Sequence, residues 1–132
     1  MLHPSSPLVS VLGISLGASL GALLRWQLGL WLSWPGALMP WGTLAANLVG
    51  GLLVGVAVGA FEQVPALNPV WRLLLVTGFL GGLTTFSTFS AEVVSALTQG
   101  KLGVAMLTAM AHLAGSLLMT WLGLKAVQWL HG

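Results

Sequence analysis

Between Gly81 and Ser90 the chain reads GGLTTFSTFS. Thr84, Thr85, Ser87, Thr88 and Ser90 offer hydroxyl donors at close intervals. Phe86 and Phe89, three apart, would project to one side of a helix. Aromatic ring edges carry partial positive charge, so edges and hydroxyls together could meet a small anion. Elsewhere Asn47 supplies an amide, while His112, Ser116 and Thr120 recur every four residues, on one face of a helix. The adjacent glycines Gly81 and Gly82 weaken a helix at that point. A break there would expose backbone N–H groups, which also attract anions. Taken singly, each hydroxyl is more simply bonded to its own helix backbone, and the two rings are more simply packing. Asn47 is harder to dismiss, and so is the gathering of donors around a break.

Bond-making chemistry finds little support. No Ser/His/Asp arrangement stands out, Glu62 falls in a link and Glu92 near the end of a helix. His3 and His131 are terminal, and His112 lacks a second histidine at metal-ligand spacing. There is no cysteine, hence no thiolate ligand, disulfide or cysteine nucleophile. No glycine-rich nucleotide loop follows a strand. An intramembrane enzyme would need an acid, base or nucleophile pair that the chain does not display.

The elements that carry these donors are set by composition. Of 132 residues, 57% are hydrophobic and 5% charged, against roughly 25% charged in soluble domains. The chain therefore reads as an all-α membrane protein, one embedded domain over residues 1–132. Four apolar spans can be placed, at about Leu8–Leu32, Trp41–Phe61, Trp71–Leu97 and Gly103–Leu130. Each exceeds or matches the ~20 residues that cross a hydrocarbon core. Short links rich in turn residues join them, so neighbouring spans should run antiparallel. A break in the third span must face protein or a wet cavity, because lipid cannot satisfy the released backbone. The short N-terminal segment has no Lys or Arg, so the first span reads as retained and not as a secretory signal. A pI near 10.0 reflects scarcity of charge and no basic patch, which argues against nucleic-acid binding.

The few charges also bear on orientation. One side of the bundle would hold Arg72 and Lys125, the other Arg25 and Lys101. Orientation normally follows an excess of Lys and Arg. With none, insertion in both directions is open; so is a real bias masked by Arg25, which lies within a span. Tryptophans 31, 34 and 41 flank the first link, with Trp71 and Trp129 at the opposite side, as an interfacial belt would. Gly13, Gly17 and Gly21, and again Gly51, Gly55 and Gly59, form stripes for close helix packing. So many stripes suggest a chain that oligomerises.

Three segments together are distinctive: GTLAANLVGG from Gly42, GGLTTFSTFS from Gly81 and HLAGSLLMTWLG from His112. With Arg25 and Trp26 in the first span, they resemble the CrcB/Fluc family of fluoride channels over nearly the whole chain. The resemblance implies an antiparallel, dual-topology homodimer of four-helix subunits, each with a broken third helix. It implies two fluoride pores at the dimer interface, for passive export that confers fluoride resistance. By motif position the pore residues would be Asn47, Phe86, Ser87, Thr88, Phe89, Ser116 and Thr120. Arg25 would stand in the vestibule and Glu92 near the pore exit. A structural sodium ion would sit at the dimer centre on the backbone carbonyls of Gly81 and Thr84. The expected partners are fluoride, a second copy and the lipid bilayer, with no nucleic acid and no other protein. The expected location is the bacterial inner membrane. The resemblance leaves the role of His112 open. A small multidrug exporter would need a midspan carboxylate, and a scaffold subunit would leave the hydroxyl-rich break unexplained.

Overall fold

In the structure, a computed structural model, residues 6–132 are described. His3 lies outside them. Helix α1 spans Pro7–Trp31. Ser6 caps it by accepting from the Val9 N–H at 3.3 Å, and Pro7 occupies the first turn, where its missing N–H costs nothing. Helix α2 spans Trp41–Gln63 after the extended Pro40. Glu62 thus falls in the last turn of α2, not in the link.

The third span is composite. Asn68 caps α3 (Pro69–Arg72) through the Val70 N–H at 3.0 Å. A π-helical stretch, Leu73–Leu80, follows, then α4 (Gly81–Leu83). Thr84 and Thr85 are extended, at φ −85°, ψ 153° and φ −150°, ψ 123°. Helix α5 (Phe86–Thr98) resumes with the Thr85 hydroxyl as its cap, accepting from the Thr88 N–H at 3.1 Å. Helix α6 spans Leu102–His131. The link before it turns at Gly100, whose φ of 74° favours glycine.

Four helical segments are each long and apolar enough to cross a membrane: 7–31, 41–63, 69–98 and 102–131. The sequence-based spans differ by one to two residues at each shifted end. The difference has a physical source: the Ser6-Pro7 and Asn68-Pro69 caps set the starts, whereas hydropathy alone sees only the apolar run.

The glycine stripes act inside the chain. Gly13, Gly17 and Gly21 are buried where α1 crosses the π-helical stretch. A Cβ on Gly17 would strike the Leu74 carbonyl, and one on Gly21 the Phe79 carbonyl. From the opposite side, Gly78 meets the Ile14 carbonyl and Gly82 the Ala18 carbonyl. Gly55 and Gly123 bring α2 and α6 together in the same way, against the Thr120 and Leu52 carbonyls. Small residues here permit backbone-to-backbone approach, the source of packing energy where no hydrophobic effect operates between helices. The stripes are therefore met by helices of the same chain. Two close pairs, α1 with the first half of the third span and α2 with α6, use them up. Ala46, Leu80 and Leu83 form the buried cluster that joins the pairs.

The glycine pair is not where the helix gives way. Gly81 keeps right-handed helical angles, φ −63° and ψ −37°. Helical angles end two residues after Gly82, at Thr84. Gly82 serves the close contact with α1, and the change of path falls on residues whose polar groups find partners elsewhere.

Candidate anion-binding cleft

Those partners come from α2. The Thr85 N–H, which a continuous helix would return to the Gly81 carbonyl, instead reaches Asn47 Oδ1 at 2.7 Å. The Thr85 carbonyl accepts from Asn47 Nδ2 at 2.9 Å. Asn47 thereby replaces a lost turn of backbone bonding. Its Nδ2 also lies 2.8 Å from Nδ1 of His112 on α6. Asn47 is 8% exposed and His112 3%. Three elements are thus tied at one depth by a single carboxamide.

Other groups at the interruption are also accounted for. The Leu80 carbonyl takes both the Thr84 N–H at 3.0 Å and the Thr84 hydroxyl at 2.8 Å. Arg25, from α1, donates through Nε to the Gly82 carbonyl at 3.1 Å. The Thr88 N–H bonds the Thr85 hydroxyl and not the Thr84 carbonyl. The helical donors to the Gly81 and Thr84 carbonyls, the Thr85 and Thr88 N–H groups, have thus both been redirected.

Beside this junction lies a cleft of about 270 Å³, open on one side. Asn47, Thr85, Phe86, Phe89, His112 and Ser116 contribute to its wall. The rings of Phe86 and Phe89 meet edge to face, 5.5 Å apart at 73°. Phe89 is buried at 6% exposure and stacks on His112 at 4.6 Å and 24°, whereas Phe86 is 71% exposed. Among the described residues no acidic side chain lines this space. Its aromatic rings and Ser116 hydroxyl suit a small anion better than a cation.

Of the sequence-based pore residues, Asn47, Phe86, Phe89 and Ser116 meet at this cleft. Ser87, Thr88 and Thr120 do not line it. The Thr120 hydroxyl points to the Gly51 and Ser116 carbonyls, each at 3.0 Å, the backbone bonding expected of a lone hydroxyl. Ser87 lies 3.3 Å from the Thr85 hydroxyl. Thr88 faces a second groove, together with Glu92 and Lys101. There Glu92 Oε1 accepts from the Thr43 hydroxyl at 2.6 Å, while its buried Oε2 has no partner among the described residues.

Two residues were missed as site residues from sequence, Thr85 at the junction and Thr43 beside Glu92. Thr85 counts there only as one hydroxyl among five, although its three-residue spacing to Thr88 is that of a helix cap. Thr43 sits four residues before Asn47, on the same helical face, which is a usable signal. Among the described residues no three of His, Cys, Asp or Glu gather as metal ligands.

The chain matches the family model described as CrcB-like protein, Camphor Resistance (CrcB), over residues 12–124. It belongs to the CrcB family. Its similarity to curated CrcB-family relatives extends over most of both sequences. It is 65% identical over 121 residues to the fluoride-specific ion channel FluC of Variovorax paradoxus, covering 92% of this chain and 96% of the relative. It is 60% identical over 123 residues to FluC of Albidiferax ferrireducens, covering 93% and 94%. A third FluC, from Pseudomonas aeruginosa, is 58% identical over 123 residues, covering 93% and 97%. These relatives are named as ion channels, not as enzymes. Four spans and an ion-channel family identify a multi-pass membrane protein.

Proposed function

We propose that the chain is a fluoride-selective channel that lets fluoride leave the cell passively. The observation that carries this reading is the cleft itself, where two edge-to-face phenylalanines adjoin an amide and hydroxyls with no carboxylate in the wall. Fluoride is small and strongly hydrated, so a pathway must replace its water shell with several donors at once. Ring edges and the Ser116 hydroxyl are such groups, positioned by the polar junction at Asn47, and they carry no negative charge to repel the ion. Ser87, Thr88 and Thr120 would extend the polar track beyond the cleft, with Arg25 drawing anions to its mouth and Glu92 near the exit.

The working unit in this reading is an antiparallel, dual-topology homodimer with two pores at its interface. One chain leaves the cleft open and Phe86 largely uncovered, so a second wall is needed to close a pore. The balance of Arg72 and Lys125 against Arg25 and Lys101 leaves both insertions available. The interrupted third span then turns toward the partner, where its polar backbone is sheltered from lipid. Residues 1–132 act as one embedded domain of the bacterial inner membrane.

A sodium ion at the centre of that dimer fits the residues present. Hard cations take oxygen ligands, and the interruption frees the Gly81 and Thr84 carbonyls from their helical donors. Bound there, the ion would supply positive charge that steadies the joined interruptions. The chain's own part is to keep those two oxygens free of their helical donors, through Asn47 on Thr85 and the Thr85 cap on Thr88.

Substitution and labelling test the reading together. F86I and F89I should each suppress fluoride flux while the protein still assembles. A cysteine placed at the C-terminus should be labelled by an impermeant reagent from both faces of the membrane. Unaltered flux in both variants would remove the rings from the pathway, and labelling from one face alone would rule out dual insertion.

A further inference from the structure

We propose that His112 is a positioning residue of the anion pathway, a neutral imidazole with its proton on Nε2 that fixes the Asn47 amide through Nδ1 and the Phe89 ring by stacking. The inference rests on the fluoride-channel reading and deepens it.

The proton's position follows from one group that has no choice. A backbone N–H can only donate, and the Thr85 N–H points at one carboxamide atom of Asn47 at 2.7 Å. That atom must be Oδ1. The other is then the NH2 group, which gives one hydrogen to the Thr85 carbonyl at 2.9 Å. Its second hydrogen faces His112 Nδ1 at 2.8 Å. Nδ1 must accept, so the imidazole proton belongs on Nε2. The other tautomer, or the imidazolium, would set N–H against N–H at that distance.

His112 makes two contacts that no aliphatic side chain could make together. Its ring lies nearly parallel to Phe89 at 4.6 Å, and Phe89 in turn meets Phe86 edge on. Its Nδ1 holds the amide that holds the interrupted backbone. Nε2 is buried and has no hydrogen-bond partner among the described residues, an unfavourable placement for a donor. The contacts on the opposite ring nitrogen and on the ring face are what that placement secures. His112 thus links the backbone junction to the aromatic pair, so that one side chain sets both walls of the cleft.

Two measurements on the full chain test this. Histidine ¹⁵N NMR in detergent micelles should show His112 as the neutral Nε2–H tautomer; an Nδ1–H or doubly protonated ring at neutral pH would overturn the proposal. Fluoride efflux from proteoliposomes should separate two variants. H112F keeps a ring for Phe89 but has no acceptor, and should lose about tenfold in flux. H112N can place its Oδ1 near the position of Nδ1 but has no ring for Phe89, and should lose less than H112F, about threefold. Equal flux from H112F and the unmodified chain, or equal loss from both variants, would overturn the proposal while leaving the channel reading standing. Fluoride flux no greater than chloride flux in the unmodified chain would bring down the channel reading and the proposal with it. Should H112F not assemble, the tautomer of the unmodified chain decides.

Discussion

The Asn47 carboxamide and the Thr85 peptide group face each other as a two-point pair, Oδ1 accepting at 2.7 Å and Nδ2 donating at 2.9 Å. A side chain from α2 thereby does what the next turn of the third span would have done. This explains how two extended residues can stand within a span without leaving polar backbone bare. It also fixes the helix restart at Phe86, and with it the direction of both phenylalanines.

Removing the carboxamide should be costly. N47L would leave the Thr85 N–H and carbonyl unpaired, at about 1–3 kcal/mol for each buried orphan. N47D keeps an acceptor for the N–H but loses the donor, and should fall between. Thermal unfolding in detergent, followed by tryptophan fluorescence, should rank the chains unmodified, N47D, N47L. Equal melting of all three would deny Asn47 this structural part.

The Thr85 hydroxyl is a separable contribution. T85A removes the cap on the Thr88 N–H and should cost about 0.5–2 kcal/mol, while T85S should restore most of it. The same melting measurement checks both, and T85A indistinguishable from T85S would contradict the cap.

Much of this was legible in the sequence, for reasons that differ by feature. The four spans follow from hydropathy, a local signal, whereas the starts at Pro7 and Pro69 are set by the Ser6 and Asn68 caps, which the apolar run does not mark. The donor cluster at Thr84–Ser90 is likewise a local signal. The Asn47–Thr85 pair is not, since contacts between spans have no period to reveal them. The glycine stripes announce close packing but not the partner, and they proved to pair helices of one chain. The π-helical stretch Leu73–Leu80 is hidden because its mainly apolar residues carry no pattern that tells it from an α-helix. His112 looked unassigned because its role depends on two residues far away in the chain, Asn47 and Phe89.

The glycine contacts divide sharply. G17A and G55A would each drive a Cβ into a backbone carbonyl, of Leu74 and Thr120 respectively, and neither backbone can retreat without parting the helices. Both should fail to give monodisperse protein on size-exclusion chromatography. G103A meets open space and should be neutral or up to about 1 kcal/mol stabilising. Well-behaved G17A and G55A protein would contradict the packing.

Thr43 and Glu92 should behave as a unit. T43V keeps shape but removes the 2.6 Å hydrogen bond, leaving both carboxyl oxygens without a partner. Residues in direct hydrogen-bond contact couple by about 0.5–3 kcal/mol. A double-mutant cycle with T43V and E92Q, read by melting, should therefore be non-additive. Simple additivity would mean that the contact contributes nothing.

Ion selectivity is the decisive property. Purified chain in proteoliposomes loaded with fluoride or chloride, with efflux followed by ion-selective electrodes, should release fluoride rapidly and chloride negligibly. Folded protein that releases neither ion, or both at similar rates, would contradict a fluoride-selective pathway through the Phe86–Phe89 cleft.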